Sequence, residues 1–191
     1  MKNFNAKVLS VFTVLIIAAA VFAFEPVILK DSKTGMTVNL YSIPDESNLL
    51  FYGNNRVGYN VSVPHKIFTK VVLLPQNEDG MILESKDGKA RFRVTGGRMV
   101  NEGILKESYD KACKDIGGEQ KASYFDLGND YWQLCWWKGK TFHIRKFVID
   151  TEKNAWGDCE IYYITPKGEG TYDPRAEIIY NAIESFMFAK G

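Results

Sequence analysis

Histidine and cysteine are scarce in this chain. It contains two histidines, His65 and His143, and three cysteines, none of them in a C-x-x-C pair. A structural zinc site needs four such side chains that converge on one point. The sequence therefore predicts no metal site, and it shows no motif for a cofactor or for catalysis.

A marked excess of charge of either sign is also missing. The full chain has 24 basic and 23 acidic residues. Two of the lysines fall in the N-terminal segment described next, so 22 basic residues remain beyond it and the net charge there is about −1. Balanced charge gives no electrostatic reason to expect nucleic acid or an anionic membrane as a partner.

The first 23 residues have the three parts of an export signal. Lys2 and Lys7 supply a positive end, the run from Val8 to Phe22 is almost wholly apolar, and Ala23 ends a cleavage pattern of small residues. A retained anchor needs ~20 apolar residues, and this run is shorter. We therefore predict cleavage after Ala23, a periplasmic or secreted location, and no stable membrane span in the mature chain.

The 168 residues that follow residue 23 are enough for one domain. Residues 24–47 are predicted to be a leader with one candidate strand at Met36 to Tyr41, where apolar and polar residues alternate. Residues 48–191 are predicted to be a single domain.

Turn and periodicity signals define the elements of that domain. Met81 to Ser85 and Ala90 to Val94 flank Asp87-Gly88, which predicts a hairpin with a type I′ turn. An apolar stripe at helical spacing runs from Asn101, the predicted N-cap, to a stop at Gly117. Three strand-like segments and a final helix follow; the three segments are Tyr131 to Trp137, Thr141 to Ile149 and Trp156 to Thr165.

The segment from Tyr131 to Trp137 is apolar on both of its faces. Trp132 and Trp136 fall on one face, and Tyr131 and Trp137 fall on the other. A strand of this kind has to be covered on both sides. Together with the two predicted helices, this indicates an α+β protein, a three-layer α/β/α sandwich with a mostly antiparallel central sheet.

The order of these elements resembles the PsbP-like superfamily of α/β/α sandwiches, which includes DcrB-type bacterial envelope proteins. The resemblance covers about Asn48 to Phe188. It lies in Asn55-Arg56-Val57-Gly58-Tyr59 before Pro64 and Phe68, Asp79-Gly80, Ser85-Lys86-Asp87-Gly88-Lys89-Ala90, a tryptophan-bearing meander, and a closing helix near Ser185-Phe186. It implies a binding or assembly factor without catalytic activity. Fold alone does not fix the function.

The tryptophans of the central strand have two interpretations. They could form an aromatic platform for a sugar or peptide, or they could fill the core, which the two apolar faces favour. Trp137, near the end of the strand, is the candidate for a binding surface.

The cysteines also leave two interpretations open, buried unpaired thiols or a disulfide. In a meander the strands bearing Cys135 and Cys159 are separated by one strand, so the two lie ~9 to 10 Å apart. This exceeds the ~7 Å Cα limit for a disulfide. Any bridge must then involve Cys113, with Cys135 as its nearer partner in sequence.

The sequence predicts an exported binding or assembly factor whose partner is another envelope protein. Two alternatives stay open. One is a small extracytoplasmic hydrolase, for instance with Cys113, His143 and Asp150 as nucleophile, base and orienting acid. The other is a carbohydrate-binding module that uses the tryptophans.

Overall fold

The computed structural model describes residues 26–43, 48–75, 79–169 and 173–189. The predicted signal peptide, residues 1–23, lies outside these ranges. Within them, two α-helices, α1 (Ile104–Ile116) and α2 (Ala176–Glu184), and a 3-10 turn at Glu119–Lys121 accompany twelve strands. The strands are β1 (Val27–Lys30), β2 (Thr37–Ser42), β3 (Leu50–Gly53), β4 (Tyr59–Val63), β5 (Phe68–Leu73), β6 (Gly80–Ser85), β7 (Ala90–Arg98), β8 (Ala122–Leu127), β9 (Tyr131–Lys138), β10 (Thr141–Asp150), β11 (Ala155–Ile164) and β12 (Met187–Phe188).

The strands form two antiparallel sheets. The five-stranded sheet has the order β1-β2-β3-β4-β12, and the seven-stranded sheet has the order β5-β6-β7-β11-β10-β9-β8. β12 returns from the end of the chain to pair with β4, where Phe188 lies opposite Tyr59. β11 pairs with both β10 and β7. The predicted meander of three strands is confirmed, and its third strand joins it to the hairpin of β6 and β7.

The predicted hairpin is also confirmed, but the prediction of a type I′ turn is wrong. Glu84 lies opposite Arg91, and the loop spans residues 86–89. The amide of Gly88 donates to the carbonyl of Ser85 at 3.0 Å, and Gly88 is the only residue of this loop with a positive φ, of 71°. A type I′ turn needs positive φ at both central residues.

Helix α1 ends as predicted and begins differently. Gly117 has a φ of 91° and its amide donates to the last turn, as a left-handed C-cap does. The N-cap position is taken by Gly103, which has no side-chain cap. The side-chain Nδ2 of Asn101 instead donates to the Glu107 carboxylate at 3.3 Å.

The seven-stranded sheet has one closed face and one partly open face. On the core face, Phe92 and Ile161 belong to the large apolar cluster that also contains the five-stranded sheet and α2. On the open face, α1 packs over a smaller cluster that contains Trp132, Leu134 and Phe147. The rest of the open face carries charged side chains. None of the helices in the described ranges is long and apolar enough to cross a membrane.

The predicted three-layer α/β/α sandwich is wrong. The chain is mainly antiparallel β-structure with two sheets, and the layer over the core face contains the five-stranded sheet as well as α2. Apolar residues on both faces of β9 require cover on both sides, but they do not specify whether a helix or a sheet provides it. Leu40 and Tyr59 of the five-stranded sheet, both fully buried, belong to the apolar cluster on the core face. Residues 24–47, predicted to be a leader, contain β1 and β2 of this second sheet.

Candidate functional site

The three cysteines are free in the structure. Cys113 lies on α1 and packs against the open-face cluster, whereas Cys135 belongs to the core-face cluster. The seven-stranded sheet therefore lies between them, and the structure contains unpaired thiols, one of the two interpretations left open, rather than a bridge between Cys113 and Cys135. Burial, with a smaller contribution from the nearby charge of Glu184, raises the pKa of Cys135 to about 12. Burial also raises the pKa of Cys159 well above its usual range. Both thiols are thus neutral and poorly nucleophilic at pH 7.

The tryptophans of β9 differ in exposure. Trp132 is fully buried, its ring stacks on Phe147 with centroids 5.8 Å apart, and its indole N–H donates to Ser108 at 2.8 Å. Trp137, the predicted binding surface, is half-buried and its ring centroid lies 5.0 Å from that of Phe142. Phe142 lines an apolar cavity of about 370 Å³ between α2 and the core face.

The residues of the hydrolase alternative do not converge. His143 and Asp150 lie seven residues apart on the regular strand β10, which separates them by ~23 Å. His143 is hydrogen-bonded to Glu160 at 3.1 Å, and Asp150 accepts the amide of Lys153 at 2.9 Å. No group of three or more histidine, cysteine or acidic side chains in the described part of the chain is arranged to hold a metal ion.

The open face instead brings together charged side chains from four neighbouring strands. They alternate along each strand with the residues of the core face. We call this surface the ion-pair face; it consists of Glu84, Arg91, Arg93, His143, Arg145, Asp158 and Glu160.

Asp158 is the centre of the ion-pair face. Its side chain is only 5% exposed. Arg145 donates to it through two nitrogens, Nε at 2.8 Å and Nη2 at 2.9 Å, and Arg93 donates to it at 3.1 Å. Such a two-point pair fixes the orientation of a guanidinium. Burial alone would lower the pKa of Arg145, but the hydrogen bonds and charge of Asp158 outweigh it and raise that pKa.

Glu160 links the arginines to the histidine. It accepts from Arg93 at 3.0 Å and lies 3.1 Å from Nδ1 of His143. Burial would raise its pKa, but the hydrogen bond with His143 and the positive charges of Arg93 and Arg145 outweigh burial and lower it. Glu160 is therefore ionised at neutral pH.

Glu84 forms the third acidic position of the surface. Arg91 donates to it at 2.9 Å and Lys70 donates to it at 3.3 Å. These two hydrogen bonds lower the pKa of Glu84.

The acids of the ion-pair face lie deeper than its arginines. The side chains of Glu84, Asp158 and Glu160 are 15%, 5% and 20% exposed. Those of Arg91 and Arg93 are 39% and 35% exposed. The solvent therefore meets guanidinium groups that buried carboxylates hold in place from below.

A row of rings borders this surface. Trp136, His143 and Tyr162 are cross-strand neighbours, with centroid separations of 4.7 Å and 5.3 Å. The planes of Trp136 and His143 differ by only 11°, so the rings cover one another's faces. Sugar binding uses exposed ring faces, and in this row Trp136 and His143 each cover one face of the other.

The sequence interpretation missed the ion-pair face. The sequence alone assigned no functional role to Arg91, Arg93, Asp158 or Glu160. The sequence does show a pair of charged residues two positions apart in each of three predicted strands. This pattern could not be interpreted without knowing that β7 pairs with β11, which places Arg93 opposite Glu160.

Comparison with known proteins gives little further information. No protein-family model matches the chain, and no curated protein matches it. Among solved structures it is similar to the Ran-binding protein Mog1p of Saccharomyces cerevisiae, with 10% sequence identity over 74% of this chain and 95% of that one, and a TM-score of 0.49. It is also similar to a mutant of the protein Mog1, with 9% identity, coverage of 74% and 96%, and a TM-score of 0.46. Similarity at this level carries no conclusion about function.

Proposed function

We propose that this chain is an exported, non-catalytic binding or assembly factor, which contacts another protein of the cell envelope through its ion-pair face. The observation that supports it best is the arrangement of Arg91 and Arg93 at the surface above buried carboxylates.

Arginine suits a binding surface for two reasons. Its planar guanidinium makes directional hydrogen bonds with several partners at once, and arginine is enriched in protein interfaces. Ordering a long side chain on binding costs ~0.5 to 1.5 kcal/mol. Here the buried acids have already ordered Arg93 through two hydrogen bonds, so a partner meets a preorganised surface.

Stability alone gives no strong reason for such a surface. Partly exposed ion pairs contribute only ~0 to 1 kcal/mol each. Replacing buried ion pairs by apolar residues often leaves stability unchanged or improves it. A charged network on a central sheet therefore favours a role in recognition.

Export is tested by fractionating the source cells and sequencing the N-terminus of the mature protein. We expect the protein in the periplasmic or secreted fraction, with Phe24 as its first residue. Recovery from the cytoplasm with an intact N-terminus would refute export.

Use of the ion-pair face is tested by photo-crosslinking in living cells. A photoreactive residue would replace Ile164, which is 38% exposed and follows the open-face positions of β11, or, as the control, Ile28, which is 61% exposed on β1. We expect a discrete crosslinked protein from position 164 and none from position 28. Equal crosslinking at both positions, or none at either, would contradict the proposal. Hydrolytic turnover that Cys113→Ala abolishes would favour the hydrolase instead.

A further inference from the structure

Arg91 has a donor that the fold leaves unused. Its Nη2 donates to Glu84, and its guanidinium lies 5.9 Å from the centre of the Tyr162 ring. Its Nε is buried and makes no hydrogen bond within the described residues. A buried donor without an acceptor is unfavourable by ~1 to 3 kcal/mol, but burial also keeps Nε out of the reach of a partner. Nη1 makes no hydrogen bond within the described residues either, and on a side chain that is 39% exposed it is the donor that an acceptor from outside the chain can reach.

Arg93, two residues further along the same strand, also has N–H groups that its ion pairs do not use. A single nitrogen, Nη2, makes its hydrogen bonds to both Asp158 and Glu160. A guanidinium carries five N–H groups. Nε and Nη1 of Arg93 can therefore donate to a second acceptor without breaking either ion pair.

The charges of this region favour an anion as that acceptor. Lys70, Arg91, Arg93 and Arg145 give four positive charges, and Glu84, Asp158 and Glu160, with Asp115 close to Arg145, give four negative charges. Glu84, Asp158 and Glu160 are more buried than the four bases. A partner approaching from the solvent therefore meets guanidinium groups before carboxylates, and an acidic group is the acceptor that suits them.

We propose that the partner binds through an extended acidic segment that lies over β7, with carboxylates two residues apart on Arg91 and Arg93. This inference rests on the proposed function and specifies the partner's chemistry. Side chains two residues apart on a strand share one face and are ~6.7 Å apart. Acidic side chains at positions i and i+2 of an extended segment have the same spacing. Each carboxylate can accept a charge-assisted hydrogen bond from a guanidinium nitrogen that the ion pairs of the fold leave unused.

The test measures binding of a fluorescent peptide of alternating glutamate and valine to the mature protein by anisotropy at low salt. We expect saturable binding, and about tenfold weaker binding for Arg93→Gln, since one charge-assisted contact is worth ~1.4 kcal/mol. Arg91→Lys keeps the charge but loses the planar group, so we expect an intermediate loss. The matched control is Arg56→Gln, whose arginine is 52% exposed and pairs with Asp79 outside the ion-pair face; it should leave binding unchanged.

Several results would overturn the inference. One is equal binding of a peptide in which glutamine replaces glutamate, and another is an equal loss in Arg56→Gln and Arg93→Gln. Displacement of the peptide by micromolar inorganic phosphate would assign the site to phosphoryl groups instead. Crosslinking at position 164 without peptide binding would refute the acidic segment and leave the proposed function standing. An unfolding curve for each variant shows that a loss of binding is not a loss of fold.

Discussion

Along strand β7, alternate residues belong to the two opposite faces of the seven-stranded sheet. Phe92 and Val94 on its core face are 0% and 1% exposed, whereas the side chains of Arg91 and Arg93 on its open face are more than a third exposed. The core face is held by close packing, which is not directional. The open face is held by hydrogen bonds between ionised groups, which are directional.

This difference separates stability from recognition along one strand. Apolar burial contributes ~25 cal/mol per Å², so substitutions on the core face should act mainly on the free energy of unfolding. Exposed ion pairs contribute little to that free energy, so substitutions of the exposed arginines on the open face should act mainly on binding. Four predictions test this division.

The largest effect is expected from Phe92→Ala. Phe92 is fully buried, and its ring centroid lies 5.6 Å from that of Phe68. Removal of a buried phenylalanine side chain leaves a cavity and lowers the free energy of unfolding by ~3 to 5 kcal/mol. Urea denaturation measures this, with Ile164→Ala as the exposed control. Similar losses in the two variants would contradict the division between the faces.

A smaller loss is expected from Asp158→Asn. The side chain keeps its shape, but Arg145 and Arg93 lose the charge that they share. Arg145 then remains as a largely buried guanidinium with a weaker partner, so we expect the free energy of unfolding to fall by ~2 kcal/mol. Arg93→Gln should cost less than ~1 kcal/mol. If Arg93→Gln cost as much as Asp158→Asn, the open face would contribute to stability as the core does.

As the pH falls, the ion pairs of the open face should be lost before the packing of the core face. The pKa values of Glu84 and Glu160 lie below their usual value of 4.5. A lowered carboxyl pKa stabilises the fold above the unfolded value, and this stability is lost as the pH falls through the folded pKa. We expect the free energy of unfolding to fall below pH ~4.5 in the wild type, and to fall less in Glu84→Gln. An identical pH profile for the two proteins would exclude Glu84 as a cause.

The smallest effect, effectively none, is expected from a reducing agent. The three cysteines are free and two lie on the core face. A disulfide would stabilise the fold by ~3 kcal/mol, so urea curves with and without dithiothreitol should coincide. Thiol counting on denatured, unreduced protein should find all three. A stability difference together with one free thiol would establish a bridge that the structure does not contain.

The sequence predicted local elements better than their assembly. The hairpin of β6 and β7 and the end of α1 at Gly117 depend on residues close in the chain, and both are confirmed. The meander β9-β10-β11 is confirmed for the same reason, since its connections are short. The pairing of β12 with β4 joins distant parts of the chain, and no local pattern predicts it.

The same limit applies to the candidate site. Cys113, Cys135 and Trp137 were singled out because of their residue types, and the structure places the two cysteines on opposite sides of a sheet. The ion-pair face consists of ordinary charged residues, and only the contact between β7 and β11 makes Arg93 and Glu160 neighbours. Residue type suggests chemistry, but the neighbours that give it meaning come from the topology.

The pairing of β12 with β4 has a consequence for how the protein is made. The five-stranded sheet contains β1, near the start of the described chain, and β12, near its end, so it cannot be completed until Phe188 has been synthesised. Pairing between segments so distant in sequence also slows folding, because a long loop must be closed first. Until then, the outer edge of β4 has no neighbouring strand in the sheet. An unpaired strand edge can pair with another chain, so the last described strand also covers an edge at which incomplete chains could associate.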